Sequence, residues 1–337
     1  MSVASRKKPE PPVGVVGALV LGFETVNARL ELALLPLILD LFLWLGPHLS
    51  IKPIVDQALD LLRAPPGADA TLVRSLQVWR SLLADYGQRF NLFSVLSTAP
   101  LGLPSLMAGR APALRPGGPP WLWGVQNPLA YFLLIGVFAL AGLFLGALYF
   151  GGIAQQVRDA RLNPGQLARQ VWGDWLRLIA LVALWVFLLT IFGLPALLFA
   201  GLLALISPII GSLFTFLASM LGLWALLYMG FTLHGIVLQR RGLLGALWDS
   251  IRLVHRNLPP TASLFAVVLL LSAGLSVLWN IPADDSWLLL IGVAGHAVVS
   301  TALAAATFTF YKDRYRQWME TRQTIQAQTE QGKANSR

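Results

Sequence analysis

The stretch Gln239–Asn257, QRRGLLGALWDSIRLVHRN, is basic, amphipathic and set between two runs too apolar for water. At helical spacing Leu244, Leu247, Trp248, Ile251 and Val254 fall on one side, and Asp249, Ser250, Arg252 and Arg256 on the other. A helix of this kind is expected to lie flat at a bilayer surface, with its arginines at the headgroups. This elbow, placed over 243–257, fixes the side of the bilayer on which every other loop falls.

Composition agrees with that setting. The chain has 337 residues, 56% of them hydrophobic and 12% charged, with a mean hydropathy of +0.66. Soluble domains carry about 25% charged residues, so the reading is an all-α, polytopic membrane protein. The net charge of +9 comes from arginines clustered beside apolar spans rather than in one basic domain, and nucleic acid is not an expected partner. Cysteine is absent, which excludes disulfides and thiolate metal sites. The apolar run Val13–Phe23 ends at Glu24 without a small-residue cleavage site, so a cleaved signal peptide is not expected.

In chain order, residues 1–12 read as a disordered basic tail and 13–310 as the membrane domain. Residues 13–27 are expected to lie at the interface ahead of a first span over 30–46. An external segment, 47–127, carries helical periodicity at Val55–Leu62 and Leu72–Tyr86, and its apolar run Phe90–Met107 is either surface-lying or re-entrant. The run Ala111–Pro120 is a breaker. Further spans are placed at 129–154, 176–206, 209–238, 261–279 and 287–310, giving six. A second elbow is predicted at 163–175, with Asn163 as N-cap and Pro164 at the first helical position. Residues 311–337 form a polar tail, helical to about Gln328.

Counting basic residues tests the orientation. Segments 1–29, 158–177, 240–256 and 311–337 carry four, four, four and six Lys/Arg, whereas the turns between the third and fourth and between the fifth and sixth spans carry none. The positive-inside rule then puts both termini in the cytoplasm of a bacterial inner membrane. The order of amphipathic segment, span, external connection and span recurs at Val13–Ala154, Pro164–Leu238 and Leu243–Phe310. It is a repeat of architecture, not of sequence.

In the third unit, Ser250-Ile251-Arg252-Leu253-Val254-His255-Arg256-Asn257, after a basic pair and Gly242, resembles the elbow signature of the glycerophosphoryl diester phosphodiesterase membrane-domain family and related uncharacterised bacterial membrane proteins. Ser250, Leu253 and Asn257 are the matching positions, and Tyr311 with Asp313 resembles the exit from the last span. The resemblance covers the second half of the chain. It implies a membrane fold and no activity, because that family's chemistry sits in a separate soluble barrel for which this chain has no room.

Polar groups inside spans are the natural candidates for chemistry, because they are costly there. Asp40 and His296 differ in expected depth by roughly 6 Å and form a candidate intramembrane polar pair that could bind a proton. The simpler reading gives each a local hydrogen-bond partner of its own. His234 and His296 are offset by roughly 15 Å, too far to sandwich one cofactor, and neither cofactor nor metal is expected. Gly142 and Gly146 form a GxxxG, a helix-contact signal. Arg240, Arg241, Arg252 and Arg256 are candidate contacts for anionic lipid headgroups, at about 1 kcal/mol each.

No nucleotide-binding, zinc-protease or hydrolase motif is present. The expectation is a non-enzymatic membrane protein that organises lipid or joins a larger membrane assembly, its partners being lipids and a membrane protein or a second copy. The alternative is a small transporter with a third span broken near Gly193–Pro195. An intramembrane enzyme is the third reading.

Overall fold

The structure, a computed structural model, describes residues 12–335 apart from 64, 66, 68 and 111–114. The basic tail up to residue 11 and the first part of the breaker run therefore lie outside the described residues. The elements in order are α1 (Val15–Ala28), a 3-10 turn (Leu30–Ala33), α2 (Leu34–Leu45), β1 (His48–Ser50), α3 (Lys52–Leu61), α4 (Ala70–Arg89), a 3-10 turn (Leu92–Ser97) and β2 (Leu122–Gly124). There follow α5 (Pro128–Asp159), α6 (Pro164–Leu188), α7 (Leu194–Ile206), α8 (Pro208–Met229), α9 (Thr232–Val237), α10 (Leu243–Arg256), α11 (Leu258–Trp279) and α12 (Leu289–Asn335).

Among the described residues five helices are long and apolar enough to cross a membrane: Pro128–Asp159, Pro164–Ile206, Pro208–Val237, Leu258–Trp279 and Leu289–Gln326. Their starts follow from the sequence. Asn127 and Asn163 cap α5 and α6 by accepting from the amides of Leu129 and Gln166, and a proline follows each cap. The only paired strands described are β1 and β2, a short parallel pair that aligns His48 with Leu122 at the base of the external segment.

The first departure from expectation is α1. Read as surface-lying, it instead packs lengthwise on α12, where a Cβ at Gly22 would collide with the Ala302 carbonyl and Ala306. The Val13 amide donates to Asp313 Oδ2 at 2.9 Å, and at the other end Trp44 Nε1 donates to the Asp284 carbonyl at 2.8 Å. Thus α1 and α2 run end to end, antiparallel to α12, with a break at residues 29–33. The buried face Ala18, Gly22 and Val26 is small enough for α12 to approach, which burial of α1 against a helix requires and an interfacial helix does not.

Of the two readings open for the segment 90–107, surface-lying or re-entrant, the structure has it enter the bundle. Leu92, Leu101, Leu103, Leu106 and Met107 are all buried. Gly142 and Gly146, the GxxxG pair, face the backbone of residues 96–102 rather than another helix. That contact lies roughly 20 to 27 Å along α5 from its start. Irregular backbone is tolerated at such depth only inside protein.

Elsewhere the helices are longer than expected. The predicted elbow 163–175 does not turn off; α6 is continuous to Leu188, since nothing between Trp172 and Leu188 breaks a helix. Near Gly193–Pro195, where the alternative transporter reading put a break, the helix runs on through a five-residue π turn, Leu189–Gly193. Proline lacks an N–H and its ring crowds the carbonyl four residues back, and the wider turn accommodates both. The hairpin of α7 and α8 closes where Gly211 meets Ala204, and it exposes Leu197, Phe216 and Leu223 at 61–64%.

A basic cleft between α10 and α12

α10 is a discrete helix, as expected, but its faces are not those the sequence pattern assigned. Ala246, Asp249, Ser250, Leu253 and Val254 are buried, whereas Leu244 and Trp248 are exposed at 76% and 54%. The polar residues turn inward because α8 and α9 need them. At the break between those helices, Ser250 Oγ donates to the Tyr228 carbonyl at 2.7 Å and accepts from the Phe231 amide at 3.1 Å. Asp249 faces Arg241 Nε at 3.2 Å, and Arg241 Nη2 donates to Tyr315 Oη at 3.3 Å. The Tyr315 hydroxyl, and after it the Asp249 carboxylate, push the Arg241 pKa up. Gly235 lets α10 lie against α9, for a Cβ there would sit 3.0 Å from that of Ala246.

On the outer side, Leu244, Trp248, Arg252 and Arg256 follow each other at four-residue steps, apolar first and basic last. The Arg252 guanidinium stacks 4.8 Å from the Trp248 ring centroid. This stripe leads into a cleft of about 840 Å³ between the end of α10 and the polar part of α12. Four arginines line it, Arg252, Arg256, Arg314 and Arg322, together with His255, and among the described residues none that lines it is acidic. Asn257, Gln317 and Thr321 add hydrogen-bonding groups, and Trp318 and Ile325 give it an apolar side.

Arg314 is the most fixed of the four. It is 9% exposed, Nη2 donates to the Val13 carbonyl at 3.3 Å, and the guanidinium lies 5.0 Å over the Phe310 ring. Its buried Nε has no hydrogen-bond partner among the described residues. The nearby Asp313 is engaged by the Val13 amide, Arg316 and Gln317, so it does not neutralise the cleft. Planar guanidinium forks of this kind match the oxygens of phosphate or carboxylate two at a time.

The structure divides the four arginines named from sequence. Arg252 and Arg256 enter the cleft; Arg241 is tied to Asp249 and Tyr315; Arg240 is exposed in a left-handed turn with φ 55°. Arg314 and Arg322 were missed. Their signal was the i, i+4 row Arg314, Trp318, Arg322 on a helix that the sequence read simply as a polar tail.

Asp40 and His296 are both buried, but no hydrogen bond or ion pair joins them among the described residues. Asp40 accepts from the Leu106 and Met107 amides, each at 3.0 Å, and from the Ser105 hydroxyl. His296 Nε2 has no partner among the described residues, while the Ser300 hydroxyl donates to the His296 carbonyl at 2.6 Å. His234 Nε2 meets Thr307 Oγ1 at 2.8 Å. Among the described residues no three His, Asp or Glu side chains gather as a metal site.

No protein-family model, curated protein or solved structure matches the chain. Helical architecture, five span-length apolar helices and composition together define the class, an all-helical membrane-embedded protein.

Proposed function

We propose that the protein is a non-enzymatic component of the bacterial inner membrane that holds anionic headgroups at the cytoplasmic face. The observation that carries this reading is the cleft of four arginines with no acid among the described residues that line it, reached by an outward stripe of Leu244 and Trp248 suited to the acyl boundary. In this placement α1 and α2 together make the sixth crossing, both termini are cytoplasmic, and α10 is the one elbow that lies on the membrane surface. The Ser250, Leu253 and Asn257 signature fits the same role, since Ser250 and Leu253 face the helix break that sets the angle of α10. The resemblance to the glycerophosphoryl diester phosphodiesterase membrane-domain family extends to the membrane fold alone.

Lipid retention tests the reading. After purification in mild detergent, the full chain is expected to keep phosphatidylglycerol in preference to phosphatidylethanolamine. Arg252→Ala and Arg256→Ala are each expected to weaken retention about five-fold, as roughly 1 kcal/mol per arginine requires. Equal retention by these variants and by Arg74→Ala, a change on exposed α4, would sink the proposal.

A small transporter is the second reading. The break at 29–33, the inserted loop 90–107 and the π turn at 189–193 are irregularities of the kind transporters place at the midplane. Against it, Asp40, the carboxylate of α2 that faces the inserted loop, is engaged by the loop's own amides. Solute flux into vesicles carrying the purified chain would decide for transport.

A further inference from the structure

The face of α1 turned away from α12 has a pattern of its own. Val16, Val20, Phe23 and Asn27 follow at steps of four, three and four, and all four are exposed, Val16 at 74% and Val20 at 51%. Alternating steps of three and four make the seam between two helices that wind side by side, and a lone asparagine on such a seam fixes register and favours a pair. The face also lines a groove of about 430 Å³ that includes Glu24, Leu30 and, from α12, Val298.

The depth of this face is set by α12. Val298 lies close to midway between Leu289 and Phe310, the apolar length of that helix. Glu24, Asn27 and the Arg29–Glu31 ion pair, 3.2 Å long and half exposed, therefore sit near the middle of the apolar zone. Glu24 has no ion-pair partner among the described residues. Charged groups facing lipid at such depth are costly, and in membrane proteins they face protein or water instead.

We infer that a second copy of this chain covers the face, packed parallel through α1, with Asn27 opposite its counterpart and Arg29 in reach of the other copy's Glu24 and Glu31. Two copies inserted the same way are related by an axis along the membrane normal, which leaves every residue at its own depth. Along the axis Arg29 lies roughly 7 Å from Glu24 and about 3 Å from Glu31, within the reach of its long side chain, so the rotation brings opposite charges near each other. A different helix would need a matching set of charges at that level, whereas this chain already carries both signs. The inference uses the six-crossing placement and not the lipid reading of the cleft.

The chain has no cysteine, so single introduced cysteines report cleanly. In native membranes, oxidation of Val20→Cys is expected to give a disulfide-linked dimer, and Leu223→Cys, on the exposed side of α8, none. Adding Arg29→Glu is expected to lower the Val20→Cys dimer about five-fold, a ratio typical of polar contacts between membrane helices. Adding Glu24→Arg and Glu31→Arg to that chain is expected to restore it, which separates lost pairing from lost folding. A Val20→Cys yield no higher than that of Leu223→Cys overturns the inference, and so does a yield that Arg29→Glu leaves unchanged. Phosphatidylglycerol retention by the cleft is unaffected in either case, so the two proposals fail separately.

Discussion

Asp40 holds Met107 by its backbone. The carboxylate accepts the Met107 amide at 3.0 Å and, through its other oxygen, the Leu106 amide at the same distance, while the Ser105 hydroxyl donates to it as well. A side chain on α2 thereby satisfies the irregular end of a segment that has entered the bundle, beyond its 3-10 turn Leu92–Ser97. Buried amides left without acceptors are costly, so this carboxylate supports the loop in place of a helix or sheet ladder.

Asp40→Ala is accordingly expected to lower stability by about 2–4 kcal/mol, because it strands two amides and a hydroxyl. Thermal unfolding in detergent measures it, and limited proteolysis within residues 98–110 should speed up in step. Crossing Asp40→Ala with His296→Ala tests the sequence-derived pair. Sites without shared partners add within about 0.5 kcal/mol, and that is the expected result; a larger coupling would restore the pair.

Ser250 supplies the second local test. Its hydroxyl closes the gap in backbone pairing between α8 and α9 by serving the Tyr228 carbonyl and the Phe231 amide together. Ser250→Ala is expected to cost about 1–2 kcal/mol. Ser219→Ala, where the hydroxyl is exposed and bonds only within its own helix, should change unfolding little.

What the sequence shows and hides follows from the range of the forces involved. The start of α6 was legible because Asn163 and the proline after it act locally, whereas Asn127 and Pro128, which start α5 in the same way, were not singled out. The direction of α1 was not legible. Its apolar length suits either a surface or a span, and only Gly22 meeting Ala302, some 280 positions away, decides. Half of the cleft was legible for a related reason: Arg252 and Arg256 lie on the helix that drew attention, while Arg314 and Arg322 arrive from the far end of the chain. Asp249 and Ser250 were placed on the wrong side because polarity was read as exposure, whereas the break beneath them needs a hydroxyl and Arg241 needs a carboxylate.

Gly146 offers a test of the inserted loop that touches no polar group. A Cβ there would strike the Leu101 carbonyl and Gly102, whereas Gly136, on the same helix, has open space around it. Gly146→Ala is expected to lose about 1–3 kcal/mol through overpacking. Gly136→Ala should be neutral or gain up to about 1 kcal/mol, since alanine is the better helix former. Equal effects at the two positions in thermal unfolding would mean that the loop does not occupy the groove on α5.

His48 makes the strand pair of β1 and β2 sensitive to acid. It is 7% exposed at the start of β1, its amide donates to the Trp121 carbonyl at 2.8 Å, and its Nε2 meets the Leu43 carbonyl at 3.2 Å. Burial holds its pKa below the usual 6.5, and the Arg115 cation adds to that, against the opposing pull of the Leu43 carbonyl. The folded segment therefore binds fewer protons than the unfolded one. Its stability is fully present above the unfolded value and is lost as pH falls from there through the folded pKa. Amide-exchange protection of residues 48–50 and 122–124 is expected to drop as pH falls below the unfolded value of 6.5. In His48→Gln, which keeps a donor for Leu43 and cannot titrate, the drop should vanish. If protection in that variant falls as steeply as in the parent chain, the acid sensitivity belongs to another group and the neutral, buried state of His48 is not what holds the strand pair.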